Sequence, residues 1–379
     1  MGGPQPPISR EAKMIRRIPV LSLLITLAAA GPARAEPLIA ESLISDEQVA
    51  AAQDEYADAT AFRATLYWEN DGSLLKPNDN DDRWYTNGTG LNFAIRNNSV
   101  SREIGSWIPW GDYDPANTAV GFAPSLSMFT AEDLAQFSLQ VNDRPYAGYW
   151  AFAFYFQRST GDEVCATFEH IQIDFGFVGT HTAADDIQRK IHSTFAEQRP
   201  NGWHNQLTDE FTAQLYLRKK WRFRVAQFEL NDIPPMTVQV IPAATLAIGT
   251  VYRHFELNAT LRIGFNLPDD FGPDRLADFG SFTTAGAQDG WGFYMFTRVG
   301  GRAVEHNLFI DGSDFNNGHG VRSHEVLGEL GAGFAVHYRN GDFSLDFTYG
   351  QIFLTKEFYG QLKSPHSYGH VALTGTWRF

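Results

Sequence analysis

His370-Val371-Ala372-Leu373-Thr374-Gly375-Thr376-Trp377-Arg378-Phe379 closes the chain, and its alternation decides the fold. Val371, Leu373, Gly375, Trp377 and Phe379 fall on one face, while Ala372, Thr374, Thr376 and Arg378 fall on the other. Successive side chains of a strand point to opposite sides, so this segment has an apolar side and a small or polar side. Ending such a strand on an aromatic residue is how outer-membrane β-barrels finish. In lipid, every backbone polar group must pair inside a closed sheet, and only alternate residues meet hydrocarbon. A mean hydropathy of −0.28 fits that arrangement.

The other end of the chain agrees. Lys13, Arg16 and Arg17 precede an apolar run from Ile18 to Ala30, and Ala33-Arg34-Ala35 offers a small-x-small cleavage pattern. The run is shorter than the roughly 20 residues a spanning helix needs. Residues 1–35 are therefore expected to be a signal peptide cleaved near Ala35. Residues 36–60 read as a short acidic periplasmic lead-in, and 61–379 as the barrel.

The whole chain carries −14; losing the +4 of residues 1–35 leaves about −18 on what remains. That balance argues against nucleic acid as a partner. Acidic loops beside an anionic surface suit bridging by divalent cations, and they suit simple solubility equally well. The single cysteine, Cys165, forbids an internal disulfide. An aromatic content of 14%, with 30 Phe, fits a lipid-facing surface with interfacial girdles.

Twelve alternating segments follow, at about 62–70, 84–96, 123–130, 147–158, 167–179, 210–221, 237–250, 254–266, 290–311, 324–338, 342–356 and 368–379. The expectation is an all-β protein, a transmembrane antiparallel barrel of about twelve strands whose extracellular loops carry a short helix. A soluble sandwich or lipocalin-like barrel also alternates, but the aromatic surplus and terminal Phe379 weigh against it. If the first strand leaves the periplasm, the tight Arg339-Asn340-Gly341-Asp342 turn lies on the periplasmic side, where short turns belong. Two long connections, about 97–122 and 267–289, fall on that same side and strain the scheme.

Four clusters stand out at the other side. They are Glu69-Asn70-Asp71; Asp82-Arg83-Trp84-Tyr85-Thr86-Asn87-Gly88; Asn142-Asp143-Arg144-Pro145-Tyr146-Ala147-Gly148; and Gln188 with His192, followed by Gly202-Trp203-His204-Asn205-Gln206-Leu207. Each has a plainer reading. Asn-Asp-Gly is a common turn, Tyr85 could be a girdle tyrosine, and Asp143 and Arg144 could fasten a loop to each other. From Asp185 to Phe195 the pattern reads as a helix with Ile187, Ile191 and Phe195 on an apolar stripe. Gln188 and His192 then share the neighbouring face one turn apart. Strand parity puts Thr86 on the inward face with Gly88, Gly90 and Asn92.

These clusters, in this order, resemble the outer-membrane lipid A 3′-O-deacylase family, the LpxR-like barrels. His306-Asn307 followed by Leu308-Phe309-Ile310-Asp311-Gly312 adds to the likeness, which covers essentially all of residues 36–379. The resemblance implies an outer-membrane enzyme that hydrolyses the 3′-linked acyloxyacyl ester of lipid A with calcium. By the same resemblance, His192 would be the general base acting on water, Gln188 would hold the ring or the water, and Asp71 would bind a Ca²⁺ ion that stabilises the tetrahedral oxyanion. Asn70 and Thr86 would complete the polar pocket, and Asp143, Arg144 and Tyr146 would bind substrate. The implied partners are lipopolysaccharide and, through Phe379, the barrel assembly machinery, with the chain acting as a monomer.

The sequence departs from the family in three places. Gly179 is followed by Thr180 where Pro is usual, His204 stands where Asp is usual, and no lysine occurs between Lys76 and Lys190. The family site includes a lysine from the wall near strand three, so an arginine or a solvent-bound ion would have to take its place. Two other classes compete. A small porin would need an open, charged lumen, and the scattered inward Arg63 and Arg96 form no obvious ring. An outer-membrane phospholipase would need a serine beside its histidine. Ser193 is adjacent to His192 in sequence, but helical neighbours at i,i+1 do not face each other.

Overall fold

The computed structural model describes residues 60–71, 83–108, 115–162, 164–230, 233–273, 275–282, 288–362 and 365–379. The expected signal peptide and nearly all of the lead-in lie outside these, as does Asp82.

Twelve strands close into one antiparallel barrel. They are β1 (Ala61–Asn70), β2 (Trp84–Arg96), β3 (Thr118–Thr130), β4 (Ala147–Gly161), β5 (Cys165–Val178) and β6 (Glu210–Leu230), followed by β7 (Ile233–Gly249), β8 (Tyr252–Phe265), β9 (Gly290–Asn307), β10 (Val326–Asn340), β11 (Phe343–Leu354) and β12 (His366–Arg378). Each pairs with its neighbours in sequence, and β1 closes on β12 from Ala61↔Arg378 to Asn70↔Gly369. Closure leaves no edge strand to pair with another chain. All twelve expected segments are strands. The structure extends β6 by nine residues beyond the expectation and ends β9 at Asn307, where a one-turn helix begins.

The lipid side is read from exposure. On β1, Leu66 and Trp68 are exposed, whereas Thr65, Tyr67 and Glu69 are buried. Near the end where β1 begins and β12 finishes, here the terminus end, Phe62 stacks on Phe93, and Trp377 lies against Phe62 and Phe343. Toward the opposite rim a second aromatic row runs Trp150↔Phe177↔Phe211 across β4, β5 and β6. Two such bands are what an interfacial girdle requires. The ladder pair Asn340↔Phe343 leaves Gly341-Asp342 as the tight turn at the terminus end, with Gly341 at φ 55°.

The two long connections at the terminus end are real, and each has its own structure. Between β2 and β3 lies helix α1 (Ser99–Ser106), capped by Asn98, whose side chain accepts from the Ser101 N–H. The described part of the β8–β9 connection turns into the lumen and packs against its wall. Arg63 donates to the Ser281 carbonyl at 2.8 Å, and Gln157 exchanges bonds with Gly280 and Phe282. Phe279 packs on Tyr67 and Tyr155. Leu276 N–H reaches Glu69 Oε1 at 3.0 Å, so the plug extends almost to the far rim.

Charge holds the plug. Asp278 meets Lys220 at 3.0 Å, Arg218 at 3.2 Å and Arg298 at 3.2 Å. Arg275 meets Glu329 at 3.1 Å, and Arg298 and Arg302 each bridge Glu256 and Glu329. All these side chains are largely shut from solvent. A buried ion is tolerated only when paired and hydrogen-bonded, and here every carboxylate meets at least two cations.

Candidate active site

At the rim opposite the termini, four strands bring the sequence clusters side by side. The register runs Asn70↔Asn87↔Met128↔Gly148 across β1 to β4, at about 4.8 Å per strand. Asn70 donates to the Thr86 carbonyl at 3.0 Å, and Asn87 donates back to the Glu69 carbonyl at 3.0 Å. Asp71 is buried, and its Oδ2 accepts the Arg83 N–H at 2.6 Å.

Strand parity misplaced Thr86. The β2–β3 ladder shifts between Tyr85 and Asn87, and such a bulge resets which side chains face in. Tyr85 therefore turns into the lumen, where its hydroxyl donates to Glu69 Oε2 at 2.5 Å. Gly88 makes the room: a Cβ there would lie 2.0 Å from the Tyr85 oxygen. Thr86 instead places its hydroxyl 2.8 Å from that of Thr130. On β3, Ser125, Ser127 and Phe129 line the lumen cavity. Met128 and Thr130 belong to the other, outward set.

That outward surface is covered. Helix α2 (Ala184–Phe195) lies against it, and Met128 clusters with Ala184, Trp203 and Tyr146. Gly148 permits the approach, since a Cβ there would lie 2.4 Å from Ala184 Cβ and 2.1 Å from Thr182 Oγ1. Asp185 and Asp186 suit the helix N-terminus, and Ala196 ends it in the left-handed conformation at φ 58°.

The helix forms where the sequence pattern placed it, and it turns its polar face inward. Its buried stripe is Ala184, Gln188 and His192. Ile191 is 41% exposed and Phe195 70% exposed, and only Ile187 packs inward, beside Trp203. An amphipathic helix hides its apolar stripe when water lies outside. This one hides its polar stripe against the outer wall of a barrel.

Gln188 and His192 are each held in one orientation. Trp203 Nε1–H donates to Gln188 Oε1 at 2.6 Å, and Trp203 is braced edge-on by Tyr146 at 5.3 Å. His192 Nδ1 lies 2.6 Å from the Gln198 carbonyl. A carbonyl only accepts, so Nδ1 carries the proton and the lone pair of the neutral ring sits on Nε2. Glu197 stands 3.7 Å from that nitrogen. Ser193 donates back to the Lys190 carbonyl, as a helical serine does, and is not directed at His192.

The three expected substrate-binding residues diverge. Tyr146 belongs to this neighbourhood as the support of Trp203. Asp143 and Arg144 do not pair with each other through their side chains. Asp143 accepts the backbone N–H groups of Glu132 and Arg144, and burial pushes its carboxyl above the usual range. Arg144 is buried on the lumen side, where it donates to the Phe309 carbonyl, approaches Glu357 at 3.7 Å and lies over the Phe129 ring. The motif at His306-Asn307 forms helix α3 (Leu308–Asp311), whose Phe309 stacks on Phe129 at 4.1 Å.

A calcium ion wants six to eight oxygen ligands. Asp71 supplies one carboxylate, and among the described residues no group of three or more His, Cys, Asp or Glu side chains converges.

A closed twelve-stranded barrel with lipid-facing aromatic bands and a polar, plugged lumen is an outer-membrane β-barrel protein. Residues 35–379 match the family described as outer membrane protein LpxR, and the chain belongs to that family. LpxR from Salmonella typhimurium shares the fold at a TM-score of 0.63 and 12% identity, over 82% of this chain and 99% of that one. Two autotransporter barrels resemble it far less in shape. The AIDA-I transport unit of Escherichia coli gives a TM-score of 0.39 at 10% identity, over 95% of this chain and 97% of its own. The BrkA β-domain of Bordetella gives 0.42 at 10%, over 85% and 99%. No curated protein matches this chain in sequence.

Proposed function

We propose that this protein is an outer-membrane hydrolase that removes the 3′-linked acyloxyacyl chain of lipid A. The observation that carries the reading is the position of the buried Gln188–His192 face. It lies on the outward side of the barrel wall, on the helix that covers Met128 and Gly148, whose register neighbours on β2 and β1 are Asn87 and Asn70, at the end of the barrel that carries the Trp150–Phe177–Phe211 row. An ester at the boundary between headgroup and acyl chains would be reached from there, and a lumen site would not reach it. Family membership supports the same reading, and the exposed Ile191 and Phe195 suit an acyl-chain environment.

In this mechanism His192 Nε2 takes a proton from water as the oxygen attacks the ester carbonyl. The tetrahedral intermediate collapses, breaking the bond to the sugar oxygen. His192 then returns the proton to that oxygen, leaving the free acyloxyacyl acid and a 3′-hydroxyl. The Gln198 carbonyl holds the ring in the tautomer this requires. Calcium, held through Asp71, remains part of the proposal on the strength of the resemblance alone, and no step above depends on it. The substrate face is the outer leaflet, and Phe379, exposed beyond β12, is the proposed signal for barrel assembly.

Mass spectrometry of lipid A from cells carrying this protein or its His192→Ala variant tests the reading. Loss of the 3′-acyloxyacyl mass with the unaltered chain only is the expected result. Unchanged lipid A with a folded, unaltered barrel would overturn it.

A further inference from the structure

Gln188 presents an unusual pairing. Its side chain is 2% exposed, its Oε1 accepts the short bond from Trp203, and its Nε2 has no hydrogen-bond partner among the described residues. Buried polar groups are nearly always paired, and an exception asks for an explanation. Chemistry fixes the orientation of the amide. An indole N–H can only donate, so the atom facing Trp203 must be the oxygen and the NH₂ group must point away. It points from the same buried stripe that carries His192 one turn further on, where side-chain neighbours at i,i+4 lie over each other.

We propose that Trp203 is a positioning residue that aims the Gln188 NH₂ group at the reacting carbonyl, where it donates to the developing oxyanion. This rests on the hydrolase reading above. The amide is neutral, fixed in advance by the indole and shut from water. A preorganised donor of this kind acts without reorganising as charge develops. Tyr146, edge-on to the indole at 5.3 Å, keeps Trp203 in place and so acts one step further back.

The test compares initial rates on purified lipid A in detergent micelles. Gln188→Glu replaces the NH₂ by an oxygen of the same size, and should lower kcat by about 100- to 1000-fold with KM little changed. Benzothienylalanine at position 203 keeps the ring system and replaces only the N–H by sulfur. It should lower kcat about tenfold or more by freeing the amide to rotate, and combined with Gln188→Glu it should cost nothing further. A change confined to KM, or additive losses in the combination, would overturn the proposal.

A second readout is independent of activity. Trp203 should give a slowly exchanging, downfield indole N–H signal, identified by its loss in Trp203→Phe, and it should exchange faster in Gln188→Leu. Unaltered exchange in Gln188→Leu would remove the hydrogen bond on which the role depends. A protected indole in a protein with no activity on lipid A would leave the bond standing and sink the hydrolase reading, and the oxyanion role with it.

Discussion

Replacing Asp278 by alanine takes one carboxylate away from three buried cations at once. Asp278 contacts Lys220, Arg218 and Arg298 between 3.0 and 3.2 Å, and none of the four side chains is more than slightly exposed. Breaking a buried pair by removing one partner costs about 3–5 kcal/mol, because a charge is left uncompensated. Arg298 keeps Glu256 and Glu329, so the burden falls on Arg218 and Lys220 and the lower part of that range applies. At about 1.4 kcal/mol per tenfold, the folded-to-unfolded ratio at a fixed denaturant concentration drops by about two powers of ten. The assay is urea unfolding in detergent, followed by the faster gel migration of folded barrels. Glu305→Ala is the control, since Arg253 keeps Asp314 at 2.6 Å and a rim pair contributes about 0–1 kcal/mol. Equal midpoints for the two variants would mean that the plug is not held by these charges.

Three further outcomes are expected. Glu357 is buried, which alone would raise its carboxyl, but the His366 hydrogen bond and the Arg144 charge prevail and hold it at about 2. Its folded value lies below the unfolded value of about 4.3, so its stabilisation is complete above that pH and is lost as pH falls toward 2. Glu357→Gln should flatten the acid limb of the unfolding curve, and an unchanged limb would contradict the assignment. In the calcium part of the proposal, chelation should suppress lipid A hydrolysis and added calcium should restore it, while Asp71→Ala should not recover at any calcium concentration. Full activity in chelator would dismiss the metal. In planar bilayers the protein should show no steady large conductance, and a stable open channel would refute the plugged lumen.

Most of the barrel was legible in the sequence because alternation at period two follows directly from lipid on one side and polar filling on the other. The Arg339–Asp342 turn and the common end of all four clusters followed from counting strands. Four features were not legible, each for a physical reason. The plug residues carry no periodic pattern, and Asp278 finds its meaning only in Arg218, Lys220 and Arg298 on distant strands. Thr86 was placed in the lumen because parity counting cannot see a bulge, although the Tyr85–Glu69 contact is what turns it. Helix α2 and its Ile187, Ile191 and Phe195 stripe were legible, but not which face it buries, because an apolar stripe turns inward only where water is the outer solvent. Trp203 stood in a quoted motif, but nothing local in the sequence links an indole to an amide fifteen residues earlier.

The β8–β9 insertion also bears on the cell as a whole. An open barrel adds leak in proportion to its copy number, so its abundance is set against the nutrients and toxins it admits. Here the stopper belongs to the same chain as the wall, and every copy that folds carries its own seal. Expression of this protein can therefore rise or fall with demand for its surface chemistry while the permeability of the envelope stays the same.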